Sequence, residues 1–230
     1  MAAGTADFMT EMLEIPYALP KMDLVALPQY IQTSKALENW GVICMIYDSV
    51  LVDRQYATAH DYSEVARVTP HEVVHQWFGN LVTSEWWSLI FLNEAFAQYY
   101  YSSGANYTYP QQEKYARFVR FWLADYALTH DGNPAITRPI ITDRKPIFTY
   151  APYYKGASVL YMLNNAITVP IMQEGLREYF RRNAWKTTTE TMLWSAITDT
   201  TKAHHIKGWN NELLNVQALM DPWTKQVGFE

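Results

Sequence analysis

The chain has 230 residues, a net charge of −5 and a composition that is 49% hydrophobic and 15% aromatic, with nine Trp and seventeen Tyr. That length suits one large domain or two tightly joined lobes, and the apolar content is ample for a core with some surface left for a neighbour. The charge balance leaves no electrostatic footprint for nucleic acid, Cys44 as the single cysteine excludes an internal disulfide, and no apolar run is long enough for membrane contact by this segment.

In chain order, residues 6–14 read as a short helix stopping before Pro16. Met22 to Leu27, bounded by Pro20 and Pro28, reads as a strand. Trp40 to Tyr47 and then Val50 to Val52 read as one or two further strands, as in a hairpin. From about residue 62 the pattern turns helical. A helix holding His71 and His75 should stop near Gly79-Asn80, a pair suited to a helix C-terminus. Pro70 leaves two options: the helix starts there with Thr69 as its cap, or a longer helix is kinked at that point. Helices follow at 89–101 and 111–129, then a Pro-punctuated loop from Gly132 to Pro152. Three more are expected near 155–168, 171–184 and 188–200, the last with Thr187 and Glu190 in capping-box spacing, and a final one near 210–220. No basic start followed by an apolar run marks a signal peptide in the first twenty residues. The order is β then α, an α+β reading for a single domain over 1–230, β-containing over 1–61 and helical over 62–230.

The chemistry is concentrated in His71-Glu72-Val73-Val74-His75. Two histidines one helical turn apart share a face, so both imidazoles can reach one ion. A glutamate beside the first can take a proton from a water polarised by that ion, as in zinc peptidases. Catalytic zinc wants three protein ligands, and Glu94, on the next helix, can complete the set if the two helices pack side by side. As a solvated surface charge Glu94 would carry no chemistry, but Leu92-Asn93-Glu94-Ala95-Phe96-Ala97 is an apolar context where a bare charge is costly.

His71 through Thr83 resembles the signature of the aminopeptidase N family of zinc metallopeptidases, the gluzincins, and the stretch from Trp86 to Glu94 is similar to the segment bearing that family's third ligand. Ile15 to Leu24 resembles the entry to the family's catalytic domain and Asp221 to Phe229 its exit. The resemblance implies an α+β, thermolysin-like catalytic domain with one Zn²⁺ held by His71, His75 and Glu94, and Glu72 as general base. It further implies peptide substrates with a free N-terminus, flanking domains in a larger chain, and a location on the extracellular face of the plasma membrane or in secretion. Lys35-Ala36-Leu37-Glu38-Asn39 matches the family's Gly-Ala-Met-Glu-Asn exopeptidase motif. By that resemblance Glu38 binds the substrate amino group, with Ala36 and Asn39 in the same substrate site, and a charge-assisted hydrogen bond would reward a cationic N-terminus. Tyr153, two residues before Lys155-Gly156, is implied as the donor to the oxyanion.

The chain departs from the family pattern at Lys35 and Ala95, where glycines are usual, and at Leu89 and Thr149, where aspartates are. Pro70 precedes the first ligand. These departures motivate one alternative, a degenerate member acting as a surface receptor or binding scaffold. The metal motif alone leaves another, a thermolysin-type endopeptidase, against which Glu38 argues.

Overall fold

The computed structural model describes residues 1–29, 34–142 and 148–228, except the side chains of 112–116. Residues 143–147 of the expected loop and Phe229 of the C-terminal motif lie outside the described residues.

Helix α1 (Ala2–Leu13) buries Met9, Met12 and Leu13 and ends with Glu14 in a left-handed conformation. A three-stranded sheet follows: β1 (Asp23–Leu27), β2 (Ala36–Leu37) and β3 (Val42–Ile46), with β3 in the centre. β1 runs parallel to β3, from Asp23 opposite Val42 to Leu27 opposite Ile46, and β2 runs antiparallel to it. The hairpin therefore lies on the other side of β3 from the one expected, closed by the Val42 N–H on the Asn39 carbonyl at 2.9 Å. Val50–Val52 is not a strand. After Ile46 the alternation is broken by Tyr47-Asp48-Ser49, and the chain winds into the one-turn helix α2 (Tyr47–Val50), with Asp48 suiting its first turn.

Helix α3 (Ala59–Val74) is the longer of the two options at Pro70, which lies inside it, and it begins slightly before residue 62. Thr58 and Asp61 form a capping box, in which Asp61 accepts the Thr58 N–H at 2.7 Å. The helix then passes through Pro70, which is buried. Thr69 caps nothing; its hydroxyl donates to the Ser49 carbonyl at 3.3 Å and ties α3 to α2. The chain turns after Val74 and leaves through Gly79, whose φ of +126° is open to glycine but strained for other residues.

The longest buried element is α4 (Phe91–Thr108), in which Phe91 through Gln98 are all withdrawn from solvent. It packs against α3, α1 and, further along, α6 (Gly156–Ile167). Between them come α5 (Glu113–Asp131) and a π-helical turn over Ala151–Lys155. Helices α7 (Val169–Asn183), α8 (Glu190–Ala203) and α9 (Val216–Lys225) complete the order. The strands β4 (Thr83–Ser84) and β5 (Thr187–Thr188) pair in parallel, so the helical part also carries a small sheet and the first part a helix. That pairing explains why Thr187 does not cap α8: it is held extended opposite Thr83, and the helix starts from Thr189 with no side-chain cap. The result is a mixed α+β fold. One continuous cluster of buried side chains joins Met9 and Leu13 to Ile43, Val73, Phe96 and Trp194. Among the described residues no helix is long and apolar enough to cross a membrane.

Gly156 sets how closely α6 approaches α4. A side chain there would place its first carbon 2.7 Å from the Ala95 Cβ, beside Glu94. Gly156→Ala is expected to lower stability by about 1–3 kcal/mol through overpacking, read as a lower urea midpoint with an unchanged slope. The α3 cap carries a pH signature. Its hydrogen bonds from Thr58 hold the Asp61 carboxyl below the usual aspartate range. A carboxyl lowered on folding contributes stability above its unfolded pKa and loses it as pH falls through the folded value. Asp61→Asn should therefore flatten the acid limb of a stability-versus-pH curve and leave the neutral limb parallel to wild type.

Candidate metal centre and peptidase cleft

The last turn of α3 and the first of α4 meet at three side chains. His71 Nε2 lies 3.2 Å and His75 Nε2 3.3 Å from Glu94 Oε2. One ligand atom from each of the three falls within 4.8 Å of the others. Two donors bound to one ion at about 2.0–2.1 Å with a tetrahedral angle stand about 3.3 Å apart, so the distances from Glu94 to each histidine fit such an ion. The tautomer fits as well. His75 donates from Nδ1 to the Phe78 carbonyl at 3.0 Å, which leaves Nε2 free as a ligand. A buried carboxylate against two imidazoles is the donor set of a divalent cation, and zinc is compatible with it.

The electrostatics follow from burial. Burial opposes charge on His75, yet Glu94 beside it holds that imidazole up to about 10. Burial and the charge on His75 push His71 down. Burial also opposes ionisation of Glu94, but His75 and the hydrogen bonds from both histidines hold its carboxyl well below the usual range. Glu72 is compensated only in part. Burial, with the charges of Glu38 and Glu94 nearby, pushes it up to about 8 against the pull of His75.

These side chains line a cleft of about 760 Å³ together with Ala36, Glu38 and Tyr153. Asn39 is not among its lining residues; it stands in the turn between β2 and β3. Two neighbouring tyrosines part ways here. The Tyr153 ring lies parallel to His71, with planes 12° apart, and its hydroxyl lies within the influence of the Glu94 charge. Burial and the Glu94 charge push that hydroxyl far up, so it stays protonated as a donor. Tyr154 also borders the cleft, but its ring packs on Trp122 and Tyr126 of α5, at 5.6 and 4.5 Å.

Two residues outside the expected site place Glu38. Gln76 is buried just past the end of α3 and donates to the Glu38 carbonyl at 3.1 Å while accepting the Gly41 N–H at 3.0 Å. Asn80 donates to the same carbonyl at 2.8 Å. Polar side chains four residues apart inside the apolar run from Val73 to Val82 were the available signal. The departures are also located. Lys35 is drawn to Glu64, which in turn holds Arg67 at 3.0 Å. Leu89 is buried in the core, and Thr149 lines the cleft with a buried hydroxyl that has no partner among the described residues.

The profile of the peptidase family M1 domain matches residues 1–223. Among curated proteins, the chain is 42% identical over 230 residues to a putative aminopeptidase-2 of Caenorhabditis elegans, covering 100% of this chain and 12% of the worm protein. It is 35% identical over 228 residues to aminopeptidase N of Bos taurus, covering 93% of this chain and 22% of the bovine one. To the thyrotropin-releasing hormone-degrading ectoenzyme of Rattus norvegicus it is 32% identical over 231 residues, covering 97% of this chain and 21% of that protein. The chain thus spans under a quarter of the length of each of these three relatives. With the family profile covering nearly all of its length, this chain belongs to peptidase family M1.

Proposed function

We propose that this chain is the catalytic domain, thermolysin-like in architecture, of a zinc-dependent aminopeptidase that removes the first residue of peptides. The observation that carries the reading is the shared cleft: Glu38, Glu72 and Tyr153 face the same space as the His71, His75 and Glu94 donors. Those three donors would hold one Zn²⁺. When bound, it supplies Lewis-acid polarisation of the scissile carbonyl and of the attacking water. Beside a dication the Glu72 carboxyl, raised by burial, is favoured in its ionised form. Glu72 then takes a proton from the water as the new C–O bond forms and returns it to the amine nitrogen as the C–N bond breaks. Tyr153 donates its hydroxyl hydrogen to the oxygen where negative charge develops. Glu38 accepts from the substrate ammonium and limits cleavage to the first residue.

The same geometry bears on the alternatives. Lys35 borders the cleft but its ammonium is paired with Glu64, which weakens the case for a degenerate scaffold. Glu38 among the cleft residues weakens the case for an endopeptidase. The greater length of the relatives supports flanking domains in a larger polypeptide. The naming of one relative as an ectoenzyme supports action outside the cell, at the plasma membrane or after secretion.

Glu72→Gln is expected to lower the rate of aminoacyl-anilide hydrolysis about 10²–10⁴-fold while the protein still holds one metal ion per chain; wild-type turnover would exclude Glu72 as the base. Glu38→Ala should lower kcat/KM for peptides with a free N-terminus about tenfold to a hundredfold, the worth of a hydrogen bond to a charged group. The same variant should leave hydrolysis of N-acetylated peptides unchanged. Comparing the two substrate sets by chromatography tests the assignment, and equal losses on both would count against it.

A further inference from the structure

Outside the cleft, one buried ion pair bears directly on it. Lys155 and Asp131 meet at 2.8 Å with side chains only 4% and 1% exposed. Stripping water from two charges costs about as much as their attraction returns, so a pair this dry is weak evidence of stability for its own sake. Its place in the chain is more telling. Asp131 closes α5, and its other carboxylate oxygen accepts the hydroxyls of Tyr150 at 2.8 Å and Thr137 at 2.7 Å. One carboxylate therefore grips the segment from Tyr150 to Lys155 at both ends, and Tyr153 lies between the grips. The Tyr150 hydroxyl is also held from the far side by the Arg138 N–H at 3.2 Å, and the Lys155 ammonium by the Gly228 carbonyl at 2.7 Å.

The gripped segment is the π-helical turn, in which the Gly156 N–H reaches back to the Ala151 carbonyl. Such turns are rare and need tertiary support. On a helical turn, whether α or π, side chains two residues apart point to roughly opposite sides. Drawing Lys155 back onto α5 therefore turns Tyr153 the opposite way, over His71 and into the cleft. We propose that Asp131 and Lys155 are positioning residues for the Tyr153 hydroxyl, locking the π turn in the register that aims the phenol into the cleft. The proposal rests on the oxyanion role assigned to Tyr153 above.

The test is a double-mutant cycle in the full-length, metal-loaded enzyme. Tyr153→Phe is expected to lower kcat about 10²–10³-fold. The combined change Asp131→Asn with Lys155→Met removes both charges and strands neither. It is expected to lower kcat about tenfold to a hundredfold with KM moved less than about threefold, since misplacing a reacting group by about 1 Å has that effect. In the Tyr153→Phe background the same combined change should cost less than about twofold, because groups that act through one another are not additive. Tyr150→Phe, which removes one hydroxyl grip, should repeat the pattern at about threefold to tenfold and serves if the combined variant folds poorly. A loss of equal size in both backgrounds would overturn the proposal, as would unchanged kcat where Tyr153 is intact. Wild-type turnover by Tyr153→Phe would remove the role of Tyr153 itself. The clamp is then decided by amide exchange in the metal-free protein: lost protection between residues 151 and 156 with α3 unaffected supports it, and unchanged protection overturns it.

Discussion

Glu94 stands within 3.3 Å of both His71 and His75, and a carboxylate withdrawn so far from water is tolerable only with partners of that kind. The contact demands that α3 and α4 be pressed together at one end and held in register there. Phe78, just beyond α3, stacks on Phe96 of α4 with ring centroids 4.2 Å apart and planes within 8°. The Phe78 carbonyl also receives the His75 ring nitrogen. Packing and ligand orientation are therefore one piece of structure. Disturbing the aromatic stack would move the imidazole as well as open the core.

The rest of the cleft is assembled from chain segments brought in against that pair of helices, each by a different device. The β2–β3 hairpin arrives through hydrogen bonds from Gln76 and Asn80 to the Glu38 backbone, which places the motif while leaving its carboxylate to face the cleft. The π turn arrives through the close approach of Gly156 to Ala95 on one side and the Asp131 grip on the other. The absence of a side chain at Gly156 is what makes room for Ala95. Pro70 is absorbed differently. With Thr58 and Asp61 securing the helix start and Thr69 tied to α2, α3 runs on through a residue that contributes no N–H of its own.

Much of this was legible in the sequence, and the reasons divide cleanly. The meeting of His71, His75 and Glu94 could be expected from local spacing and from the cost of a charge in an apolar run, as at His71 through His75 and at Leu92 through Ala97. Most helices and two of the strands could be read because burial imposes a period on the sequence. Element ends were harder. Thr187 has the spacing of a helix cap but is drawn into β5 by a partner strand a hundred residues away, and Val50–Val52 looks like a strand but follows a helical turn.

Other features depend on groups meeting across the fold, and no local pattern encodes such meetings. Tyr153 and Tyr154 are chemically identical neighbours, and only the direction of the π turn sends one toward Glu94 and the other toward α5. Lys35 could be seen as a departure but not as a residue tethered to Glu64 on α3. Asp131 carried no sequence signal, since its partners Thr137, Tyr150 and Lys155 are spread over a loop and a turn. The sequence by itself marked His71, His75 and Glu94 as side chains that could hold a metal, because that depends on residue type, near-neighbour spacing and the cost of a charge in an apolar run. Only the tertiary structure decided which tyrosine faces them and what holds it there, because direction in a folded chain is set by contacts between segments far apart in sequence.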